Sequence, residues 1–323
     1  MKTLRRALVP LALLPFKNIV YAQKKDSIPL KVRAFFADKF PQNRDLNIEF
    51  TQTAPFQFSS KLHGNALPDH KVKSFQQVKA GVNIYFVKKK NWLLSTALNY
   101  RYTAIDTEEA LLTGNNTKND YHYHSEALNL SYFSKLWNKT AIYSASVSAD
   151  GSDQHFERIR GMVTASLVLK ATPKTKMLIG IAGIIDPSSQ VPILPVFTYE
   201  NKFNNGWVLD ILLPRKVMVR KDIFSNSRIS LGTEMDNTSF YTYRNNRTYE
   251  FRQLEINSGA IYEHNLGGNF IGTLKTGIRA VPQARAFDKE ESIRDYIFEA
   301  NYKPSFYFNV GISYNPFGKP RVK

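Results

Sequence analysis

Seven basic residues stand at alternate positions inside otherwise apolar or small-residue runs: Lys79, Arg101, Arg158, Arg160, Lys170, Lys275 and Arg279. Asp210, Glu234 and Glu255 hold equivalent positions in other runs. Two kinds of chemistry suit such a set. Gathered on one surface with positive charge in excess, these side chains would concentrate anions and repel cations. Paired with one another, they would form an internal ionic lattice that braces a wall. The sequence leaves both open.

Other residue types offer less. His122 and His124, in "YHYHSE" ahead of Glu126, share one face of an extended segment, and two imidazoles at i, i+2 can chelate a metal. His63 and His70 fall in a preceding loop, but no spacing here meets a zinc signature, so no metal and no cofactor is assigned. Asp69-His70 and Asp153-Gln154-His155 are the Asp/His pairs an integral outer-membrane hydrolase could use. No G-x-S-x-G accompanies them and nothing marks a nucleophile, so no catalytic residue is assigned and the chain is read as a non-enzyme.

The elements that must position these groups are strands. From residue 46 onward apolar residues recur with period 2, and helical spacing never persists. Trp92, Leu94, Leu98, Tyr100 and Tyr102 alternate with Ser95, Ala97, Asn99 and Arg101, and "SFYFNVGISYNPF" at 305–317 does the same with no charge at all. Soluble sheets also alternate, but their water-facing side is about a quarter to a third charged. Faces of Ser, Asn, Gly and Thr with isolated basic residues suit a narrow interior, with the apolar face turned to lipid.

Strand starts fall near residues 46, 76, 92, 121, 139, 157, 175, 193, 206, 228, 250, 267 and 303. Thirteen is an odd total, and bacterial single-chain barrels have even numbers of strands. Pro214 cannot donate a ladder hydrogen bond, so a turn there splits 207–223 and brings the count to fourteen, with twelve as the alternative. The fold class is thus all-β: an antiparallel up-and-down transmembrane β-barrel over 46–317, with a periplasmic tail at 318–323. Short turns near 89–91, 136–138, 172–174, 203–205 and 264–268 contrast with long connections near 59–75, 105–120 and 281–302. Trp92, Trp137 and Trp207 all sit in or beside short turns, as a membrane-interface girdle requires.

The first 22 residues read as a cleaved signal peptide, with Lys2, Arg5 and Arg6 ahead of an apolar core and a cleavage site between Ala22 and Gln23. Its removal takes four basic residues and no acidic one, lowering the formal charge from +17 to +13. The chain lacks cysteine, which excludes disulfides, thiol catalysis and a lipidated Cys anchor. An exported basic chain meets lipid head groups and anionic solutes rather than nucleic acid. Residues 23–45 form a periplasmic segment, a small plug or an extra strand.

The "VYAQ" site, "NGWVLDILLP", "RISLG" and the terminal "FYFNVGISYNPF" resemble the uncharacterised outer-membrane β-barrel proteins of Bacteroidota-type bacteria that are grouped under a domain of unknown function. The resemblance spans roughly residues 45–317 and implies fold and bacterial outer-membrane location, with no catalytic residue to carry over. Its partners would be the bilayer, lipopolysaccharide and, during biogenesis, the barrel-assembly machinery that reads an aromatic last strand. Three functions are then expected: a passive channel or facilitator for small solutes, anionic ones among them, gated by the long loops; a plugged barrel carrying hydrophobic molecules; or a structural barrel binding lipopolysaccharide or a partner through its loops.

Overall fold

The computed structural model describes residues 27–108, 117–244 and 246–317. The expected signal peptide, its cleavage site at Ala22 and Gln23, and the tail at 318–323 lie outside the described residues. Residues 28–36, weakly alternating in sequence, are not a strand but part of helix α1 (Ile28–Lys39). Pro29 suits the first turn and Lys39 the last. Phe40, ahead of Pro41, is forced to an extended backbone (φ −134°, ψ 120°) and ends the helix. A single 3-10 turn (Pro41–Asn43) leads on to the sheet.

The strands are β1 (Leu46–Thr53), β2 (Phe56–Leu62), β3 (Asn65–Lys88), β4 (Trp92–Thr107), β5 (Lys118–Leu136), β6 (Lys139–Gly151), β7 (Phe156–Ala171) and β8 (Thr175–Ile185). They continue as β9 (Ile193–Lys202), β10 (Trp207–Leu213), β11 (Lys216–Ile223), β12 (Ser227–Arg244), β13 (Arg247–Gly267), β14 (Phe270–Asp288), β15 (Phe298–Tyr302) and β16 (Ser305–Tyr314). Each pairs antiparallel with its neighbours, and β1 pairs with both β3 and β16, which closes the sheet on itself. Pro55 interrupts β1 and β2, and Pro304 interrupts β15 and β16, because proline cannot donate to a ladder. Both halves of each broken strand run beside the same partner, β3 or β14. The barrel therefore has fourteen staves, the expected number, and the turn at Pro214 and Arg215 separates β10 from β11.

The expected long connections are shorter than the sequence suggests. Residues 59–75 are mostly a hairpin of β2 and β3 around His63 and Gly64, both at positive φ. Residues 281–302 keep only 289–297 outside strands, and residues 109–116 of the third lie outside the described residues. The end where the chain enters β1 and leaves β16 is called proximal here. Trp92, Trp137 and Trp207 all stand at that end, Trp137 in a turn and itself 80% exposed, Trp92 against Tyr132.

The outer wall is apolar. Leu128, Val147, Ile159, Val163, Ile179 and Ile181 are exposed, Ile159 by 76%. So much bare aliphatic surface is unstable in water, and its natural solvent is hydrocarbon. The apolar core lies instead inside the far end, where Phe56, Phe58, Phe75, Phe240, Phe251 and Val281 cluster. Phe240 and Phe251 reach it because the β12–β13 hairpin leaves the wall. Strand β11 pairs β12 only as far as Glu234, so β12 beyond that point has a free edge and folds into the lumen. Below this bend Gly232, Gly259 and Gly277 stand side by side on β12, β13 and β14. A Cβ on Gly259 would lie 2.0 Å from the Thr276 carbonyl oxygen, so only glycine permits strands this close.

A polar chamber as the candidate functional site

Two inserts divide the lumen. At the proximal end α1 lies across the barrel. The Arg33 guanidinium sits 3.7 Å from the Tyr85 ring centroid on β3 and pairs with Asp45. On the opposite wall Lys39, with no exposed side-chain surface, donates to Glu200 on β9 and to Asp210 on β10 (2.6 Å). Asp38 accepts from Arg220 (2.7 Å) and Arg228 (2.8 Å). Arg44 follows the helix and donates to Glu263 (2.5 Å), to Ser313 (2.7 Å) and to the Ala37 carbonyl (3.0 Å).

These contacts set the helix electrostatics. Burial would raise the Asp38 carboxyl, but Arg228 and Arg220 outweigh it and hold the group well below the usual carboxylate range. Burial and the nearby Arg220 push the Lys39 ammonium down, against the pull of Asp210 and Glu200. The buried face of α1 is thus ionic as much as apolar.

At the far end the in-folded hairpin has both faces covered along its base, 238–242 and 250–253, while Arg244, Asn246 and Arg247 near its tip are exposed. One face joins the aromatic core. From the other, Tyr241 donates to Asp150, and Glu250, fully buried, accepts from Arg158 (3.0 Å), Arg160 (2.9 Å) and Arg252 (2.8 Å). Arg160 also meets Asp150 at 2.9 Å, and Asp186 lies 3.5–3.6 Å from all three guanidiniums. Burial would raise the Asp186 carboxyl, but Arg160 and the hydrogen bonds from Ser188 hold it down. Three cations and three carboxylates balance, so the cluster is neutral. Tyr121 stacks on Phe240 and Tyr123 on Tyr241, which carries the hairpin across to β5.

Between the inserts lies a chamber of about 760 Å³. The β5–β7 side of its wall is neutral, with Ser125, Asn129, Ser131, Ser144, Ser146 and Thr164. The other side carries charge in pairs: Lys79 with Asp236 (2.6 Å), Lys275 with Glu234 (3.3 Å) and Glu49 (3.9 Å), and Arg279 with Glu255 (3.0 Å).

Of the residues singled out in the sequence, Lys79, Arg101, Glu234, Glu255, Lys275 and Arg279 line this chamber. Asp210 belongs to the helix cluster, and Arg158 and Arg160 to the hairpin cluster. Lys170 does not face inward. A register shift between Val168 and Lys170 sets Lys170 opposite Met177, on the side of exposed Ile179 and Ile181, so the bulge reverses the parity on which its inward assignment rests. His122 and His124 lie on the outward parity of β5, where His122 meets the Tyr100 hydroxyl at 2.7 Å and His124 packs on Phe156. Sequence reasoning missed Glu49, Asp236 and Glu250, and every ion partner on α1. Alternation would have found Glu49, in phase with Asn47 and Thr51. No period marks the base of the hairpin, because both its faces are buried.

Residues 45–315 match the profile of a domain of unknown function, DUF6268. No curated protein sequence matches the chain. Among solved structures, the COG4313 outer membrane channel from Pseudomonas putida F1 is 7% identical, with a TM-score of 0.38, 82% of this chain and 93% of that one being covered. A FadL homologue from Pseudomonas aeruginosa is 8% identical (TM-score 0.29; 85% and 92% covered). The outer membrane protease OmpT from Escherichia coli is 10% identical (TM-score 0.27; 83% and 96% covered). Scores this low transfer no activity, and the outer-membrane type of barrel is read here from strand pairing and surface.

Proposed function

The chain belongs to that DUF6268 family, which carries no activity over, and we propose from its own geometry that it is an outer-membrane facilitator for small polar solutes, closed in its resting form by α1. The carrying observation is the polar chamber lying between two inserts. A barrel kept only for strength would fill its lumen with packed side chains. This one keeps a cavity lined by hydroxyls, amides and ion pairs, a surface that exchanges hydrogen bonds with a passing solute. A hydrophobic cargo would have to strip water from that wall without replacing its bonds, which disfavours the carrier of apolar molecules.

The gate proposed here is α1. Helix α1 borders the chamber at the proximal end and the in-folded hairpin at the far end, where Val281, Ala284 and Ala300 pack against it. In planar bilayers the full chain should show small, infrequent openings, and deleting residues 27–43 should raise both conductance and open time. A deletion variant that folds and inserts but conducts no better than bare lipid rules the reading out. Because the chain has no cysteine, Ser144→Cys provides a second readout. A hydrophilic thiol reagent should label it slowly in the full chain and fast in the deletion variant.

A further inference from the structure

The chamber's charges do not quite cancel. Its four carboxylates, Glu49, Glu234, Asp236 and Glu255, are bonded by Lys79, Lys275 and Arg279 as described above. Arg33 is matched by Asp45. Two further guanidiniums line the cavity, those of Arg101 and Arg215. Among the described residues neither comes within ion-pair distance of a carboxylate. Arg101 donates to the Asn237 carbonyl (3.2 Å), lies 5.5 Å from the Tyr123 ring centroid and has a buried Nε with no hydrogen-bond partner. Arg215 sits 4.4 Å from the Phe40 ring centroid, at the junction of chamber and plug. Both act electrostatically on Asp236, which Lys79 already occupies.

Lys79, Arg101, Arg215, Lys275 and Arg279 against four carboxylates leave the wall one positive charge in excess. Both guanidiniums are half-buried, and the buried Arg101 Nε, without a partner, is under-compensated. Two forks flanking one region of a cavity match a carboxylate, whose two oxygens accept bidentately. The β5–β7 wall, which begins beside Arg101 and carries Ser125, Ser144, Ser146 and Thr164, adds uncharged hydrogen-bonding groups for hydroxyls.

We propose that the chamber is a binding site for compact hydroxylated monocarboxylates, with Arg101 and Arg215 taking the carboxylate and the serine wall taking the hydroxyls. A monoanion brings the wall to neutrality, a dianion overshoots it, and a cation adds to an existing excess. This deepens the reading of the barrel as a facilitator and rests on it for the route by which solute arrives.

Three six-carbon polyols of similar size and different charge separate the possibilities: gluconate, sorbitol and N-methylglucamine. In proteoliposomes holding the full chain, gluconate should enter about tenfold faster than sorbitol, equivalent to about 1.4 kcal/mol, with N-methylglucamine slowest. Arg101→Gln with Arg215→Gln should bring the gluconate-to-sorbitol ratio close to one, while Arg101→Lys with Arg215→Lys, which keeps the charge, should hold it above one. Equal entry of all three solutes in the wild type overturns the site and leaves the facilitator standing. Should none enter, the facilitator falls and equilibrium dialysis of the detergent-solubilised full chain decides the site. Saturable gluconate retention that is lost in the glutamine variant supports it, and no saturable retention overturns it.

Discussion

Glu250→Gln tests the claim that the far mouth is shut by a hairpin pinned through charge. Glu250 is fully buried and bonded to three arginines, so the amide leaves Arg158, Arg160 and Arg252 facing only Asp150 and Asp186. Removing one partner of a buried ion network costs about 3–5 kcal/mol, because a charge is left uncompensated away from water. Glutamine keeps the volume and part of the hydrogen bonding, which favours the lower figure. At about 1.4 kcal/mol per decade, 3 kcal/mol is a shift of roughly 100-fold in the docking equilibrium. Amide hydrogen exchange in nanodiscs reads it directly, since local opening reports its own free energy. Protection over 238–253 should fall about 100-fold while β5 and β6 keep theirs. Adding Arg252→Gln leaves Arg160 with Asp150 and Arg158 with Asp186, two cations against two carboxylates, and should recover much of the loss. Unchanged protection, or an equal loss around the whole barrel, would refute the pinning.

Three further outcomes follow from other parts of the molecule. Ile159→Arg puts a charge on the most exposed position of the apolar wall and should cost about 2–4 kcal/mol of folding into vesicles, whereas Ser146→Arg, on the chamber face, should cost less; the fraction folded, read from heat-modifiable gel mobility, decides, and wild-type chain that stays monodisperse in water without any amphiphile sinks the lipid-facing assignment. Gly259→Val places a Cβ against the Thr276 carbonyl oxygen and should prevent the β12–β14 bend, seen as loss of the folded band; a folded variant with unchanged hairpin protection would contradict it. Asp38 titrates below its ordinary value of 3.8 while docked, so its contribution is complete above that pH and is lost only as pH falls through the lower docked value. A nitroxide at Val32→Cys should therefore stay immobile from neutrality to pH 4 and loosen in stronger acid, and loosening already at pH 5 would count against the Arg220–Asp38–Arg228 clasp.

The barrel was legible because its physics is local. A strand between lipid and a narrow interior must alternate, and segments such as Trp92–Thr107 and Ser305–Tyr314 do so without interruption. Pro214 announced its turn because a missing donor cannot sit mid-ladder. Legibility failed wherever a residue answered to something distant in sequence. Lys170 obeys a bulge that alternation cannot see. Pro29, Arg33 and Ala37 share the buried face of α1, but the charges of Arg33 and of the neighbouring buried Lys39 hide the helical stripe, since their partners are 12 and 161 residues away. In the run from Thr238 to Tyr243 all but the last residue are buried, on both faces, so no period survives.

The two closures differ in what holds them, and that difference gives the barrel a direction. The hairpin is covalently part of two staves and combines an aromatic core with a cluster whose central carboxylate has no exposure. The helix is joined to the barrel on one side only, through Pro41–Asn43, and its clasp is wetter: the Asp38 side chain is 38% exposed. Ion pairs open to water contribute little and are screened by salt, while buried ones resist separation because each half is left stranded. Releasing α1 also leaves fewer stranded carboxylates, since Glu200 and Asp210 keep Lys176, Lys216 and Arg220 when Lys39 departs. On the proposed function, opening should therefore begin at the proximal end. Raising ionic strength should lengthen openings of the full chain well before it loosens residues 238–253, and a hairpin that exchanges first would reverse the order.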